Sequence, residues 1–164
     1  LREILFTADT HFGHADAILF LERPFESLKE MHDVLIHNWN SITNSTDIIY
    51  HLGDFGWWSW RYGLNKIFHA LNGKKRLVVG NNDPERTLRL PWDAVIPTGA
   101  LITIKGKQVF LSHKSRKKKE RREGVIYLHG HQHCTGQRPV DVGVDCWEYR
   151  PVLYSQIEDM LAGR

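Results

Sequence analysis

The stretch LVVGNND at residues 77–83 sets three apolar, strand-forming residues ahead of a glycine, two amides and a carboxylate. Such a run reads as a buried strand, and its abrupt polar end reads as groups delivered to the edge of a sheet. The same layout recurs along the chain. EILFTA (3–8) runs into Asp9 and His11, DIIYHL (47–52) into Gly53 and Asp54, QVFLS (108–112) into His113, and VIYLHG (125–130) into His131 and His133. The remaining strand-like runs are RLVVG (76–80), which overlaps the opening stretch, LITI (101–104), VDVGVD (140–145) and PVLY (151–154).

Helical spacing appears in three places. Ser27 and Glu30 form a capping-box pattern ahead of Leu28, Met31, Leu35, Trp39 and Ile42. Leu64, Ile67, Phe68 and Leu71 make a second stripe that ends at Gly73, and Ser155 with Glu158 caps a short terminal helix carrying Ile157 and Leu161. Helices alternate with strands early, whereas the later part is almost all strand. That order predicts mixed sheets covered by helices, an α/β sandwich rather than a barrel.

Composition narrows the class. A chain of 164 residues with 41% apolar and 25% charged residues is read as one soluble domain, residues 1–164, with a substantial core. There is no run of eighteen apolar residues, and the opening LREILFTAD lacks the layout of a secretory signal, so the expectation is a cytoplasmic protein without a membrane partner. Cys134 and Cys146 cannot build a disulfide framework and have no C-x-x-C spacing, which fits a reducing compartment. The net charge of +3 is unevenly spread: KSRKKKERRE (114–123) holds seven basic residues against two acidic ones.

The residues behind the strands argue for metal. Asp9, His11, Asp54, Asn81, His113, His131 and His133 all follow apolar runs, at the strand ends where open α/β sheets gather ligand sites. Two carboxylates, one carboxamide and four imidazoles suit borderline divalent ions such as manganese, iron, zinc or cobalt, and they are too many for one ion. A two-metal site is the economical reading.

In order, these residues spell D-x-H (Asp9, His11), G-D (Gly53, Asp54), G-N-x-D (Gly80, Asn81, Asp83), a lone His113, and G-H-x-H (Gly130, His131, His133). The pattern resembles the calcineurin-like metallophosphoesterases over most of the chain. It looks most like small phage and bacterial members, through DTHFGH (9–14), ERPF (22–25), HLGDF (51–55) and VGVDCW (142–147). The resemblance implies a four-layer αββα sandwich, two mixed sheets flanked by helices. It implies that Asp9, His11 and His133 hold one divalent ion, that Asn81, His113 and His131 hold a second, and that Asp54 bridges them. Manganese is the favoured ion, with iron, zinc, nickel, cobalt or magnesium as alternatives. It also implies hydrolysis of a phosphoester by a metal-bridging hydroxide, the ions clamping the phosphoryl oxygens.

Asn82 departs from much of that family, which places a histidine after the ligand asparagine. An amide can donate a hydrogen bond to phosphate but cannot supply a proton, so general-acid help of roughly 10²–10⁴-fold comes from elsewhere or is forgone. This favours phosphodiesters with good leaving groups, nucleotides or nucleic acid first. A phosphomonoesterase, a catalytically weak metal-binding scaffold and a nucleic-acid-binding protein are the alternatives. His14 either replaces the missing proton donor or orients a ligand or the phosphate. Asp83 could assist the site, but the preferred reading is that it caps or braces the turn before Pro84. His51 and His129 read as buried core or supporting residues, and His32, His37 and His69 as helix surface or packing residues.

Two segments could meet substrate. In GWWSW (56–60), Trp57, Trp58 and Trp60 could stack on a base, against the plainer expectation that at least two of them are buried. The basic run 114–122 follows His113 directly, which makes Lys114 and Arg116 candidates for phosphate contact and the run a candidate nucleic-acid surface; its alternative is a solvated loop.

Overall fold

Period-two alternation in the first strands sets the layering. In the computed structural model, which describes residues 2–57, 63–135 and 140–163, β1 (Ile4–Thr7) pairs in parallel with β2 (Ile48–His51), Leu5 opposite Ile49 and Phe6 opposite Tyr50. Leu5 and Ile49 share a face that packs on Met31, Leu35, Trp39, Ile67 and Phe68. Phe6 and Tyr50 share the other, which meets Val109, Leu111 and Leu128. One strand pair therefore serves two cores, a helix-facing one and an inter-sheet one.

The helices are α1 (Asp16–Phe20), α2 (Leu28–Ile42), α3 (Gly63–Ala70), α4 (Glu85–Leu88) and α5 (Tyr154–Leu161). The other strands are β3 (Lys74–Val78), β4 (Ala94–Ile96), β5 (Ala100–Ile104), β6 (Lys107–Leu111), β7 (Val125–His129), β8 (Val140–Asp141) and β9 (Val152–Leu153). Among the described residues they form a five-stranded sheet in the order β4-β3-β2-β1-β9 and a four-stranded sheet in the order β5-β6-β7-β8. Each sheet is mixed: β9 runs against β1, and β5 against β6, while the other pairs are parallel. The predicted α/β architecture of two mixed sheets with flanking helices is the one observed. α2 and α3 cover the first sheet, whereas on the outside of the second sheet Phe110 lies under the Arg116 guanidinium of the basic segment and the neighbouring Tyr127, 5.6 Å away, accepts from Arg122 N through its hydroxyl.

Several expectations shift at the edges. Ser27 caps α2 as predicted, but Glu30 accepts from the Glu26 amide rather than completing the box. α5 begins at Tyr154, not after Ser155, and it is the Gln156 side chain that accepts from the Leu153 amide. β4 is unannounced in the sequence because three half-exposed residues between prolines carry little pattern. VDVGVD stays a strand only over Val140–Asp141, then crosses between the sheets. Val142 N donates to His129 O on one side and Val144 N to Ala8 O on the other, before a 3-10 turn at Val144–Cys146.

The cysteines correct another expectation. Cys134 and Cys146 form a disulfide, with Cα atoms 5.3 Å apart, because the crossing brings the 3-10 turn against the loop after β7. Cysteine usage therefore gives no support for a reducing compartment. No helix among the described residues is long and apolar enough to cross a membrane.

His32 sits on the buried face of α2, and its Nε2 accepts a hydrogen bond from Gly13 N at 2.9 Å, fixing the turn after His11. Burial pushes its imidazole from the ordinary 6.5 to about 4, so the folded state holds it as a neutral acceptor. Below pH 6.5 the unfolded chain takes the proton more readily, so stability is complete above that pH and is lost as pH falls toward 4, by about 3 kcal/mol at the limit. Chemical denaturation at pH 7 and pH 4.5 should show this loss in the wild type. In His32→Gln the difference between the two pH values should shrink by about 2 kcal/mol.

Candidate metal centre

Strand ends from both sheets meet at one edge, and backbone hydrogen bonds carry the sheets past their last regular residues. Asp9 N donates to Gly53 O, His11 N to Asp54 O, and Gly130 N to His113 O, at 2.9–3.1 Å. The contact is close enough to need glycine. A Cβ on Gly53 would lie 2.6 Å from Gly80 Cα and from His113 Nδ1, and one on Gly80 would lie 2.3 Å from Asp54 Oδ1.

The structure brings two triads together at this edge: Asp9, His11 and His133, and Asp54, His113 and His131. Within each triad the candidate ligand atoms lie within 4.8 Å of one another. Asp54 sits between them, Oδ2 at 3.9 Å from His11 Nε2 and Oδ1 at 3.5 Å from His113 Nε2. Asn81 joins the second group, its Oδ1 3.0 Å from His113 Nε2. Five of these seven residues, Asp9, His11, Asp54, His131 and His133, have φ between 45° and 71°. Left-handed backbone at a non-glycine residue costs of order 1 kcal/mol each, so the surrounding contacts hold a strained loop set in place.

Those contacts are specific. Asp83 accepts from Asp54 N, Phe55 N and Gly80 N at 2.8–2.9 Å, bracing two loops against each other rather than only the turn before Pro84. Burial pushes its carboxyl up to about 6, which still leaves it ionised at neutral pH. Asn82 donates to Asp54 twice, from its backbone N to Oδ1 and from Nδ2 to Oδ2, each at 2.8 Å. The backbone N–H and one Nδ2–H of this candidate phosphate residue are therefore turned onto Asp54, which leaves it the second Nδ2–H. His51 and His129 are buried as expected, His51 against Thr10 Oγ1 and His129 against Gly130 O.

Arg23 and Asp145 were not singled out in the sequence. Arg23 grips Asp145 with Nε and Nη2 at 2.8 and 3.0 Å, and donates to the carbonyls of Asp9 and Thr10. Asp145 Oδ2 in turn accepts from His133 Nδ1 at 2.8 Å, leaving Nε2 for the first triad. The stretches ERPF and VGVDCW, which contain both residues, were the available signal.

A cation fits this donor set. His113 Nδ1 donates to Leu52 O at 2.8 Å, so its Nε2 carries a lone pair, aimed at the oxygens of Asn81 and Asp54. Burial keeps the imidazoles of His11, His113 and His131 below the ordinary value, hence neutral, while burial raises Asp9 well above its own. Asp9 Oδ1 and His11 Nε2 are buried without a hydrogen-bond partner. Acceptors that converge with nothing to accept from are what a divalent ion satisfies.

Two spaces open over the centre. One, about 530 Å3, is lined by His14, Asp16, Phe20 and Trp57 together with Asp54, Asn82 and both histidines of G-H-x-H. The other, about 430 Å3, is lined by Asn81, His113, Lys114, Arg116 and Lys117. Lys114 thus stands at the centre. Arg116 is shared with the outer face of the second sheet, where it lies 4.9 Å over the Phe110 ring. Trp57 lines the first space; Trp58 and Trp60 lie outside the described residues.

Comparison with known proteins bears on the whole chain. A family model described as a calcineurin-like phosphoesterase superfamily domain matches residues 3–144. An uncharacterised protein of Methanocaldococcus jannaschii is 27% identical over 178 residues, covering 98% of this chain and 92% of the relative. The gene 66 protein of Mycobacterium phage D29 is 28% identical over 183 residues, with 90% of each chain covered. The crystal structure of a protein of unknown function from Aquifex aeolicus matches with a TM-score of 0.80 at 26% identity, covering 98% of this chain and all of that one.

The buried carboxylate gives an expected outcome without activity. Because burial raises the Asp9 pKa, the folded metal-free protein holds that proton more tightly than the unfolded chain, and stability falls as pH rises from the ordinary 3.8 through the raised value. At pH 7.5, Asp9→Asn should melt higher than metal-free wild type by several degrees and lose most of the increase that divalent ions give the wild type. Asp145→Asn touches neither triad's ligand atoms, yet titration calorimetry should find metal affinity 10- to 100-fold weaker.

Proposed function

The chain belongs to the calcineurin-like phosphoesterase superfamily, and on that premise we propose that it is a metal-dependent phosphodiesterase with a two-ion centre, acting on nucleotide or nucleic-acid diesters. The observation that carries the reading is the position of Asp54, one oxygen turned toward each triad. Asp9, His11 and His133 would hold one ion, Asn81, His113 and His131 the other, with Asp54 between them. Divalent ions held there supply Lewis acidity to the phosphoryl oxygens and a nucleophilic water near neutral pH. Manganese suits the mixed oxygen and nitrogen donors, as do iron, zinc, nickel, cobalt and magnesium to differing degrees.

The chain's own residues then divide the remaining work. Asn82 fixes both oxygens of Asp54 and stands at the cleft, a hydrogen-bond donor without a proton to give. His14 lines the same cleft, and burial lowers its imidazole below the ordinary value, so at pH 7 it is neutral and offers a hydrogen bond to a leaving oxygen before it offers a proton. A site with weak proton delivery favours diesters with good leaving groups over monoesters. Lys114, with Arg116 and Lys117 beyond it, gives the second space a positive wall that suits an extended polyanion.

The test is turnover of a chromogenic phosphodiester and its matching monoester by metal-stripped protein with each ion restored. The diester should be cleaved with manganese in preference to the monoester, and Asp54→Asn should remove turnover by at least about 10³-fold. Cleavage of the monoester alone would replace this reading with a phosphomonoesterase. His14→Ala should keep its metal content and lose about 10²-fold in turnover, most with poor leaving groups; equal rates for wild type and variant with both kinds of ester would remove His14 from the reaction.

A further inference from the structure

The two spaces over the centre have unlike walls, and the one opposite Lys114 is aromatic. The His14 imidazole lies flat on the Trp57 indole, with ring centroids 3.6 Å apart and planes 2° from parallel. The Phe20 ring approaches His14 from another side at 5.3 Å, inclined by 57°. His14 is almost wholly buried, whereas Phe20 is 57% exposed.

Among the described residues, the packing of the two cores does not account for Phe20. Within α1 it is Ala17 that turns into the interior, fully buried, while Phe20 joins neither of the two cores. A phenyl ring held at the lip of a polar cleft, beside a stacked imidazole and indole, presents a planar apolar face to whatever occupies that cleft. The same cavity holds His11, Asp54, His131 and His133, so a phosphate at the triads has its ester substituent against these rings. Asp16 lies on this wall as well. A carboxylate there would oppose a second phosphate and would accept hydrogen bonds from an exocyclic amine or a ribose hydroxyl. The positive wall at Lys114 is on the other side.

We propose, building on the phosphodiesterase reading above, that Phe20 and the His14–Trp57 pair form a subsite for the planar base of a nucleoside whose phosphate lies over the two triads. The substrate is then a nucleoside ester oriented by its base. Stacking on aromatic side chains tolerates any base, so the subsite selects for a base rather than for a sequence.

The test compares equilibrium binding of adenosine 5′-monophosphate and ribose 5-phosphate to the manganese-loaded protein by calorimetry, with hydrolysis of the chromogenic diester measured on the same preparations. In the wild type the nucleotide should bind at least 10-fold tighter than the sugar phosphate, within the range expected for one stacked base. In Phe20→Ala the two affinities should come within about 2-fold of each other, and Leu19→Ala, a change at a residue 80% exposed on the same helix, should keep the wild-type ratio. Equal affinities in the wild type, or a preference that survives Phe20→Ala, would overturn the subsite. Diester hydrolysis without base preference defeats the subsite and leaves the phosphodiesterase. Base preference in a protein that cleaves neither ester with any of the ions defeats the phosphodiesterase and leaves the subsite.

Discussion

Two carboxylates, Asp9 and Asp54, lie at the junction of the sheets with 0% and 2% of their surface exposed, and among the described residues neither forms an ion pair with a lysine or an arginine. The Arg23 guanidinium, which reaches the Asp9 carbonyl, is spent on Asp145 and on two backbone carbonyls. The imidazoles around them are held neutral by the same burial that raises the pKa of Asp9. Buried carboxylates met only by amide donors, Asn82 on Asp54 and the His131 backbone on Asp9, are expensive to keep charged, and the arrangement persists where an outside cation completes it. The convergence of the strand ends, the neutral histidines and the lone pairs turned inward all follow from that one requirement.

Holding the acceptors there strains the backbone, and the fold answers with cross-braces. Left-handed conformations at Asp9, His11, Asp54, His131 and His133 turn ligand side chains inward at the point where each strand stops. Glycine at positions 53 and 80 lets two of these loops touch, and Asp83 ties them with three amide hydrogen bonds. His32 holds the turn after His11 from the flank of α2, and Arg23 holds the same loop's carbonyls from a segment that precedes the helix. The disulfide between Cys134 and Cys146 joins the residue after His133 to the residue after Asp145, so the imidazole and the carboxylate that orients it are fastened on both sides. Preorganisation of this kind keeps the site ready for metal without a folding step at binding.

The sandwich also decides how the centre is approached. Its first sheet is covered by α2 and α3, the basic segment touches the outer face of the second at Phe110 and Tyr127, and the cleft opens between the turns of α1 and the start of that segment. One wall is therefore built of rings and the other of lysine and arginine. For the phosphodiester substrate proposed above, the two walls would meet the two ester substituents differently.

Much of this was legible in the sequence because it depends on local pattern. Apolar runs of four to six residues marked eight of the nine strands among the described residues, and the 3.6-residue stripes marked the longer helices. β4, α1 and α4 escaped because elements of three to five residues are too short to show a period. The ligand types stood in order behind their strands, since a strand end can be read from its own residues. Arg23, Asp145 and His32 could not be read that way: their partners are 122, 12 and 19 positions distant, and a charged or imidazole side chain near a helix looks the same whether it meets solvent or a buried turn. The same holds for Cys134 and Cys146, whose pairing exists only because the chain crosses between the sheets after Val142. By itself the sequence determined the fold class, the family resemblance and the kinds of atom offered at the sheet edge. Which atoms face one another, which carboxylate lies between the triads and which rings wall the cleft were decided by tertiary structure, because those distances belong to segments that meet only when two sheets are packed together.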